Sequence, residues 1–288
     1  MSTLPAPNGA GFPAPEPTTL STVQAVQHIR RMRGGSQPHL MHCSDGCYYV
    51  VKFRNNPQHP RVLANEMLAT RLAQRIGLPV PRIAVVEVGH RLVRHDAHLT
   101  FQLPSGAVAC EHGLQFGSQY AVSPFEGQVF DHLPAEMLGR VRNIGSFWGM
   151  LAFDKWVCNV DSRQAAFWRR QRERNYTVAF IDQGHCFGGE NWSFPDRPLH
   201  GAYFQDEVYA GITGWESFEP WLSALEELKE EVIWNVAQEV PLEWYDADCD
   251  GMEKLVSQLI DRREAVRDLL SAFRLSSPEP FRDWRNGG

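Results

Sequence analysis

Residues 153–187 read FDKWVCNVDSRQAAFWRRQRERNYTVAFIDQGHCF, and this stretch decides how the rest of the chain is interpreted. It begins inside an apolar, aromatic helix predicted over 135–158, after which Asp161 lies in a polar loop. It ends with a strand predicted over 176–181 that leads into Asp182, with Gly184 two residues later. The two aspartates are 21 positions apart (182 − 161), enough for an intervening hairpin to bring both to one cleft. One carboxylate can then accept a proton from a hydroxyl, and the other can bind a metal ion.

A β-hairpin is predicted around the turn Ser44-Asp45-Gly46. Apolar residues flank this turn over 39–43 and 47–53, and Asp-Gly between apolar runs is typical of a hairpin. Lys52 is the one charged residue of 48–53 (YYVVKF). A lysine at the end of such a strand can point into a cleft and neutralise the phosphates of a nucleotide. The alternative is an edge lysine that only discourages sheet aggregation.

A helix is predicted over 61–76, because apolar residues recur there at helical spacing and Gly77 and Pro79 end the pattern. Glu66 lies on this helix, directly after Asn65. An acidic side chain at this position can pair with Lys52 and hold it in register. A solvent-facing Glu66 is the alternative.

The segment 34–39 (GGSQPH) precedes the hairpin and contains Gly34, Gly35 and Ser36. Glycine lets successive backbone N–H groups approach a phosphate closely, so this turn is interpreted as a nucleotide-binding element. From its position alone, Ser36 is also a candidate for self-phosphorylation. The alternative is a plain turn that ends a first helix, which the spacing of Val23, Val26 and Ile29 predicts over 20–31.

The remaining patterns predict a sheet-rich first part and a helix-rich second part. A strand pair is expected over 83–88 and 91–93, whereas residues 99–135 are rich in Gly, Pro and Ser and typical of a connector. Further helices are predicted over 221–240 and 252–273. We therefore expect an α+β, two-lobed protein with a cleft between the lobes. The expected divisions are a disordered tail over 1–20, an N-terminal lobe over 21–120, a C-terminal lobe over 121–275 and a flexible tail over 276–288.

Composition argues against several classes of function. The 288 residues are 43% hydrophobic and 22% charged, which is typical of a globular protein. The net charge of −6 argues against nucleic-acid binding, and the basic run 169–174 (RRQRER) is interpreted as a solvated turn. No apolar stretch approaches the roughly 20 residues of a membrane span, and no secretory signal is evident, so a cytoplasmic protein is expected. The six cysteines lack the paired spacing of a zinc site.

Taken together, these motifs resemble the HipA-like kinase family, which is related in fold to phosphatidylinositol kinases and protein kinases. The resemblance runs from about residue 34 to residue 273. GGSQPH at 34–39 is similar to the family's glycine turn, and Asn65-Glu66 followed by GLPVP at 77–81 is similar to its helix and helix exit. NVD at 159–161 and IDQG at 181–184 are similar to its catalytic loop and metal-binding segment.

The resemblance implies a kinase fold with an antiparallel sheet and one helix in the N-terminal lobe, and a helix-rich C-terminal lobe. It implies ATP and Mg²⁺ as cofactors, Lys52 on the phosphates, Asp161 in the catalytic position and Asp182 as the metal ligand. The family often has a histidine two residues after the catalytic aspartate and an asparagine five residues after it. This chain has Arg163 and Ala166 there, which leaves Gln164 as the candidate to supply an amide oxygen to magnesium.

Three functions stay open from the sequence. The first is an ATP-dependent kinase that transfers the γ-phosphoryl group to a hydroxyl, foremost that of serine or threonine in a protein substrate. The second is a nucleotide-binding pseudokinase, in which Ala166 marks lost catalysis. The third is a lipid or small-molecule kinase, since a fold does not fix the acceptor. The first two differ in sequence terms only at Gln164 and Ala166, and the oligomeric state is left undefined.

Overall fold

The computed structural model describes residues 20–276 and 280–285 and shows a mixed α+β fold. Within those residues the strands are β1 (Ser21–Arg31), β2 (His39–Cys43), β3 (Tyr48–Lys52), β4 (Ile83–Val88), β5 (Thr100–Leu103), β6 (Gly106–Ala109), β7 (Gly113–Gln119), β8 (Gly127–Phe130), β9 (Gln164–Arg170) and β10 (Thr177–Ile181). The α-helices are α1 (Arg61–Arg75), α2 (His90–His95), α3 (Ala135–Leu138), α4 (Ser146–Trp156), α5 (Trp221–Glu226), α6 (Glu230–Gln238), α7 (Cys249–Arg262) and α8 (Val266–Arg274). The predicted hairpin, the helix after it and the strands ending at Val88 and Ile181 are confirmed.

A closed barrel occupies the first part of the chain, with strand order β1-β2-β3-β7-β4. Its neighbouring strands are antiparallel except for β1 and β4, which pair in parallel from Ser21 opposite Ala84 to Gln24 opposite Glu87. The prediction of an antiparallel sheet with one helix is therefore wrong in two respects. β1 closes the sheet onto β4, and α2 adds a second helix. Side chains that include Met41, Val51, Phe53 and Val86 fill the barrel.

The first element is a strand, not the helix predicted over 20–31. β1 pairs with β2, and its register shifts between Ala25 and Gln27 and again between His28 and Arg30. Val26 and Ile29 are the residues at these two bulges, and both are exposed. Val23 is buried whereas Val26 and Ile29 are exposed, so the three-residue spacing that suggested a helix does not mark one buried face of β1.

Two further sequence predictions are wrong around the barrel. Residues 91–93 lie in α2, because β1 and β7 already occupy both edges of β4 and leave no edge for another strand. The predicted connector over 99–135 contains four strands, and one of them, β7, lies between β3 and β4. Gly117 is required in β7, because a Cβ there would collide with Cγ2 of Val86 and lie 3.3 Å from the Tyr49 ring. The glycine that suggested a loop is needed for close strand packing.

A second sheet, β10-β9-β8, carries the two predicted acidic loops at its end. β9 and β10 form the hairpin between them, with Gln164 opposite Ile181. Helix α4 precedes this hairpin, and most of its apolar side chains are fully buried, among them Phe147, Met150, Leu151, Phe153 and Trp156. A helix that is apolar all round must be surrounded by protein, so α4 forms the centre of the larger core.

The helical part is more broken than the sequence predicts. The helix expected over 135–158 is divided into α3 and α4, that over 221–240 into α5 and α6, and that over 252–273 into α7 and α8. The predicted tail over 1–20 lies outside the described residues except for Leu20, and the tail over 276–288 is described at 276 and 280–285. Within the second of them, however, Phe281 is buried and packs on Phe273, which differs from the prediction of a flexible tail over 276–288. Among the helices that the structure describes, none is long and apolar enough to cross a membrane.

Candidate active site

Lys52 is the centre of the candidate site. It is the last residue of β3, and its side chain is buried between the barrel and α1. Its ammonium group donates hydrogen bonds to Oε1 of Glu66 and, over 2.7 Å, to Oδ1 of Asp182. We call these three residues the charge cluster. The structure thus brings together three predicted site residues that are up to 130 positions apart in the sequence.

Glu66 reaches the cluster from α1 and is only 3% exposed. The alternative of a solvent-facing glutamate is therefore wrong. α1 lies between the barrel and the helical core, since Leu63, Met67 and Leu72 belong to the larger hydrophobic cluster. A carboxylate buried in this position needs a charged partner, and Lys52 supplies it.

The cluster favours ionised side chains on Lys52 and Asp182. Burial alone would lower the pKa of Lys52, but Asp182 and Glu66 outweigh it and raise the pKa. Burial raises the pKa of Glu66, which shares its cation with a second carboxylate. Burial also opposes ionisation of Asp182, yet the charge and hydrogen bond of Lys52 lower its pKa to about 2. An ionised carboxylate that keeps 27% of its side-chain surface exposed is therefore present at neutral pH.

Asp182 follows β10 with φ at 63°, a left-handed conformation that is uncommon for a residue other than glycine. The segment after it, residues 182–189, is called the Asp182 segment. Asn65 holds this segment through its side-chain amide, which donates to the backbone carbonyls of Gly184 (2.9 Å), Cys186 (3.2 Å) and Gly189 (3.0 Å). The adjacent residues Asn65 and Glu66 therefore have separate tasks: Asn65 holds the backbone of the Asp182 segment, and Glu66 binds Lys52.

A buried ion pair supports the same segment from the other side. Arg163 donates from Nε to Oδ2 of Asp154 over 2.8 Å and from Nη2 to Oδ1 of the same carboxylate. Its Nη1 donates to the carbonyls of Ile181 (2.8 Å) and Asp182 (3.3 Å). Arg163 therefore fixes the backbone at which Asp182 leaves the strand. Arg163 therefore has a structural task at the end of this strand.

Asp161 lies on an exposed loop that is hydrogen-bonded to the Asp182 segment. The backbone N–H of Val160 donates to the carbonyl of His185 over 3.1 Å. The N–H of Asp161 donates to Oδ1 of Asn159 (3.2 Å), and Asn159 in turn donates to Asp154 (3.1 Å). The same buried Asp154 thus orders both predicted acidic loops, while the Asp161 side chain stays open to solvent.

Gln164 and Ala166 occupy different environments on β9. Gln164 is exposed at the first position of the strand, directly opposite Ile181, the residue before Asp182. Ala166 is buried two residues further along. Gln164 is therefore the residue of β9 that has an exposed side-chain amide at the end of the sheet where Asp182 lies.

The glycine turn, residues 34–38, connects β1 and β2 above the β3–α1 loop. Gly34 has φ at 131°, and a Cβ on Gly35 would lie 2.7 Å from Nε2 of Gln58. Gln58 also contacts Nε2 of His185 over 3.1 Å, so the turn and the Asp182 segment meet across this side chain. Among the described residues, the backbone N–H groups of Gly35 and Ser36 donate no hydrogen bond. The Ser36 side chain is buried, which argues against it as a self-phosphorylation site.

The sequence interpretation missed three contributions to the site. These are Asp154, Gln58 and the hydrogen bonds by which Arg163 holds the backbone at Ile181 and Asp182. For Asp154 a clue existed, because a carboxylate inside the apolar helix SFWGMLAFDKW needs a buried cation. For Gln58 no local pattern is informative, because its contacts are 23 and 127 positions away (58 − 35 and 185 − 58).

The residues present fit a nucleotide with a divalent cation. Asp182 is ionised, and Gln164 offers an amide oxygen, which are the oxygen ligands that magnesium prefers. Lys52 supplies a buried cation, and the glycine turn supplies unengaged backbone N–H groups, which suit phosphate oxygens. Asp161 adds an exposed carboxylate on the adjoining loop.

Known proteins resemble this chain in family and in fold. A family model described as HipA-like kinase matches residues 25–274. Among solved structures, the proinflammatory kinase CtkA of Helicobacter pylori aligns with a TM-score of 0.52 at 14% identity, covering 86% of this chain and 95% of that one. Hydra Fam20, solved with sugar, aligns with a TM-score of 0.55 at 12% identity, covering 91% and 89%. At such identities the likeness shows the fold alone. A search of curated proteins found no match.

Proposed function

Because the chain belongs to the HipA-like kinase family, we propose that it is an active ATP- and Mg²⁺-dependent kinase that phosphorylates serine or threonine in a protein substrate. The observation that carries this proposal is the charge cluster. One cation, an ionised carboxylate and a supporting glutamate lie together beside the exposed Asp161 loop. Phosphoryl transfer needs this set, because its catalysis rests on positioning and charge neutralisation.

In this proposal Lys52 and the glycine turn bind the phosphates of ATP, and Glu66 keeps Lys52 in register. Asp182 and Gln164 hold Mg²⁺, which would neutralise the negative charge that develops on the transferred group. Asn65 and Arg163 have no contact with the nucleotide in this scheme. They hold the backbone of the Asp182 segment so that its carboxylate has one position.

Asp161 acts on the acceptor. Its carboxylate orients the acceptor hydroxyl and takes its proton while the hydroxyl oxygen bonds to the γ-phosphorus. The bond between that phosphorus and the β–γ bridging oxygen breaks, and ADP leaves with the bonding electrons. The exposed position of Asp161 supports this role, since the carboxylate must be reachable by a second molecule.

We also propose that the barrel with its two helices, residues 21–120, and the remainder, residues 121–275, act as two lobes around the nucleotide. Lys52, Glu66 and the glycine turn come from the first, and Asp161, Gln164 and Asp182 from the second. The small hydrophobic cluster inside the barrel, separate from the larger one, supports this division.

A nucleotide-binding pseudokinase is the second candidate, and Ala166 favours it, because a buried alanine offers no metal ligand. A lipid or small-molecule acceptor is the third.

Incubation of the purified protein with radiolabelled ATP and Mg²⁺, with and without candidate acceptors, tests the proposal. We expect label transfer by the wild type and its loss in Asp161→Ala, with ATP binding retained. Transfer at the normal rate by Asp161→Ala would contradict the role of Asp161. ATP binding without any transfer by the wild type would favour the pseudokinase.

A further inference from the structure

We propose that residues 196–204, called the docking segment, bind an extended peptide of the acceptor protein. Leu199 and Phe204 would contact apolar side chains on either side of the acceptor hydroxyl, and Arg197 would bind a carboxylate on the Leu199 side. This inference rests on the proposed kinase function and assigns its substrate class.

The docking segment is attached directly to the Asp161 loop. The backbone N–H of Gly201 donates to the carbonyl of Asp161 over 3.1 Å, and the N–H of Arg163 donates to the carbonyl of Ala202 over 3.0 Å. Gly201 has φ at 72°, and a Cβ there would collide with Asp154. The segment therefore lies directly against the loop that carries Asp161, the proposed catalytic residue.

Two cationic side chains, the buried Lys155 and the partly buried Arg262, hold the docking segment. Lys155 donates to the carbonyls of Pro198, over 2.6 Å, and His200. Arg262 donates twice to the Asp196 carboxylate, each time over 2.7 Å. A backbone fixed at this many points loses little further entropy when it binds a ligand, which favours recognition.

The side chains that point away from this fixed backbone are unusual for a solvated loop. Leu199 is 57% exposed and Phe204 is 65% exposed, and they lie on either side of the attachment at Gly201 and Ala202. Phe204 rests on the buried ring of Tyr203, with the ring centroids 4.7 Å apart. Single exposed apolar residues are common, but two on a well-anchored segment that is hydrogen-bonded to the Asp161 loop indicate a contact surface.

Arg197 gives the surface a charge preference. It is exposed and, among the described residues, its guanidinium forms neither an ion pair nor a hydrogen bond. The neighbouring Asp196 is already engaged by Arg262. An unneutralised arginine two residues from Leu199 complements a carboxylate in the bound chain.

The shape of this surface favours a peptide over a small molecule. A cavity of about 100 Å³ lies beside the segment, lined in part by Lys155, Cys158 and Leu269. Pockets for small ligands usually measure about 300–1,000 Å³, so this cavity is too small. Separated side chains on an open surface suit an extended chain, whose side chains reach separate contact points.

The test is phosphorylation of a positional-scanning library of short peptides with a central serine or threonine. For the wild type we expect selection for apolar residues beside the central hydroxyl and for Asp or Glu on one side. Leu199→Ala and Phe204→Ala should each raise the peptide KM about tenfold, the effect of about 1.4 kcal/mol of lost apolar contact, with the KM for ATP unchanged. Arg197→Glu should convert the acidic preference into a basic one, a reversal that a structural role would not produce.

Matched controls exist elsewhere on the surface. Leu242 is 56% exposed, and Leu242→Ala should leave the peptide KM unchanged. Arg91 is also exposed, and Arg91→Glu should leave the charge preference unchanged. Binding of a serine-to-alanine peptide, followed by fluorescence anisotropy, gives a second measurement that does not depend on turnover and should weaken in the same three variants.

The outcomes separate this inference from the proposed function. If the wild type phosphorylates peptides without these preferences, or if Arg197→Glu keeps the acidic preference, the docking segment is overturned while the kinase stands. Transfer to lipids or small molecules alone would overturn both the docking segment and the proposed protein kinase. If the wild type transfers phosphate to no acceptor, the proposed protein kinase itself is overturned.

Discussion

Lys52 lies between two carboxylates from distant parts of the chain, and the charge of each group depends on the other two. Its side chain is 9% exposed, and that of Glu66 is 3% exposed. Removal of one partner from a buried ion pair leaves the other charge uncompensated, which typically costs about 3–5 kcal/mol of stability. Lys52 and Glu66 should therefore behave as one unit in binding experiments.

This dependence predicts a non-additive double mutant. Lys52→Ala and Glu66→Ala should each weaken Mg-ATP binding, and the double variant should lose less than the sum of the two, with an interaction energy of about 1–3 kcal/mol. Titration calorimetry of all four proteins measures this value. The exposed pair Lys229 and Glu231, 3.9 Å apart, provides the control and should show no coupling. Strictly additive losses at Lys52 and Glu66 would show that they do not act together.

Gly184 gives a steric prediction at the same site. A Cβ on this residue would lie 2.7 Å from Cγ1 of Val62, and 3.4 Å from Oε1 of Glu66. Gly184→Ala should therefore destabilise the protein by about 1–3 kcal/mol, the usual cost of overpacking, and displace the Asp182 segment. Adding Val62→Ala removes the clashing methyl group and should recover part of the loss.

Urea unfolding of the single and double variants measures this recovery. Gly89→Ala is the matched control, because a Cβ there meets no atom within 4 Å, and it should be nearly neutral. If Gly184→Ala is also neutral, the close packing between α1 and the Asp182 segment is not present.

The sequence predicts the charged members of the candidate site better than their supports. Lys52 and Asp182 are identifiable because each is a charged residue at the end of an apolar strand, a local pattern. Asn65 and Arg163 act mainly on backbone carbonyls, 119 and 18 positions away. Every residue has a backbone carbonyl group, so the sequence does not indicate which carbonyls accept these hydrogen bonds. The roles of Asn65 and Arg163 can therefore be recognised only in the structure.

At the scale of elements, β1 and β2 are joined at one end by a chain of hydrogen-bonded side chains. Nδ1 of His28 contacts Oδ2 of Asp96 over 2.9 Å, and its Nε2 contacts Nδ1 of His39 over 3.0 Å. Nε2 of His39 lies 3.6 Å from Sγ of Cys110. Burial, followed by the neighbouring His28 and Arg31, lowers the pKa of His39 to about 4, so its ring is neutral in the folded protein at pH 7.

This pKa predicts a pH dependence of stability. The unfolded chain binds a proton at His39 near pH 6.5, whereas the folded protein does so only near pH 4. Protonation of His39 therefore favours the unfolded state increasingly as the pH falls from about 6.5 to 4. The neutral His39 makes its full contribution to the free energy of unfolding only above pH 6.5. Between pH 7 and pH 5 the wild type should lose about 2 kcal/mol through this residue, at roughly 1.4 kcal/mol per pH unit below 6.5.

Urea unfolding at pH 7 and pH 5 for wild type and His39→Gln measures the effect, because the contributions of groups that do not contact His39 cancel in the difference. The exposed His132 provides the control, and His132→Gln should keep the wild-type pH dependence. An equal loss of stability in wild type and His39→Gln would contradict a neutral, buried His39.

Elements with an unbroken local period are predictable, and elements shaped by their neighbours are not. α1 and the β2–β3 hairpin follow their sequence patterns closely. β1 does not, because its two bulges change the period, and β7 does not, because Gly117 is dictated by Val86 and Tyr49 on adjacent strands. Those partners are 31 and 68 positions away (117 − 86 and 117 − 49), beyond the reach of a local pattern.

At the scale of the whole molecule, α1 connects the barrel to the helical part. Its apolar side chains pack in the larger hydrophobic core. Glu66 contacts Lys52 of the barrel, and Arg71 forms an ion pair with Glu239, the residue after α6. Lys52 and Asp182 complete the connection over 2.7 Å. A ligand that binds Lys52 and Asp182 together should therefore stabilise the whole fold.

Thermal unfolding with nucleotide and metal tests this expectation. Ligand at about 100 times its Kd adds roughly 2.7 kcal/mol, which for a chain of this size raises the melting temperature by about 5 °C. ATP with Mg²⁺ should give this shift, and ATP with EDTA should give a smaller one.

Asp182→Asn should remove most of the metal-dependent part of the shift, because the side chain that binds the metal loses its charge. Asp161→Ala should keep the full shift, because Asp161 acts on the acceptor. Each variant is compared with its own ligand-free melting temperature, since Asp182→Asn also removes the ion pair with Lys52. Absence of any shift in the wild type at saturating ATP and Mg²⁺ would contradict both the kinase and the pseudokinase, since both require this site to bind nucleotide.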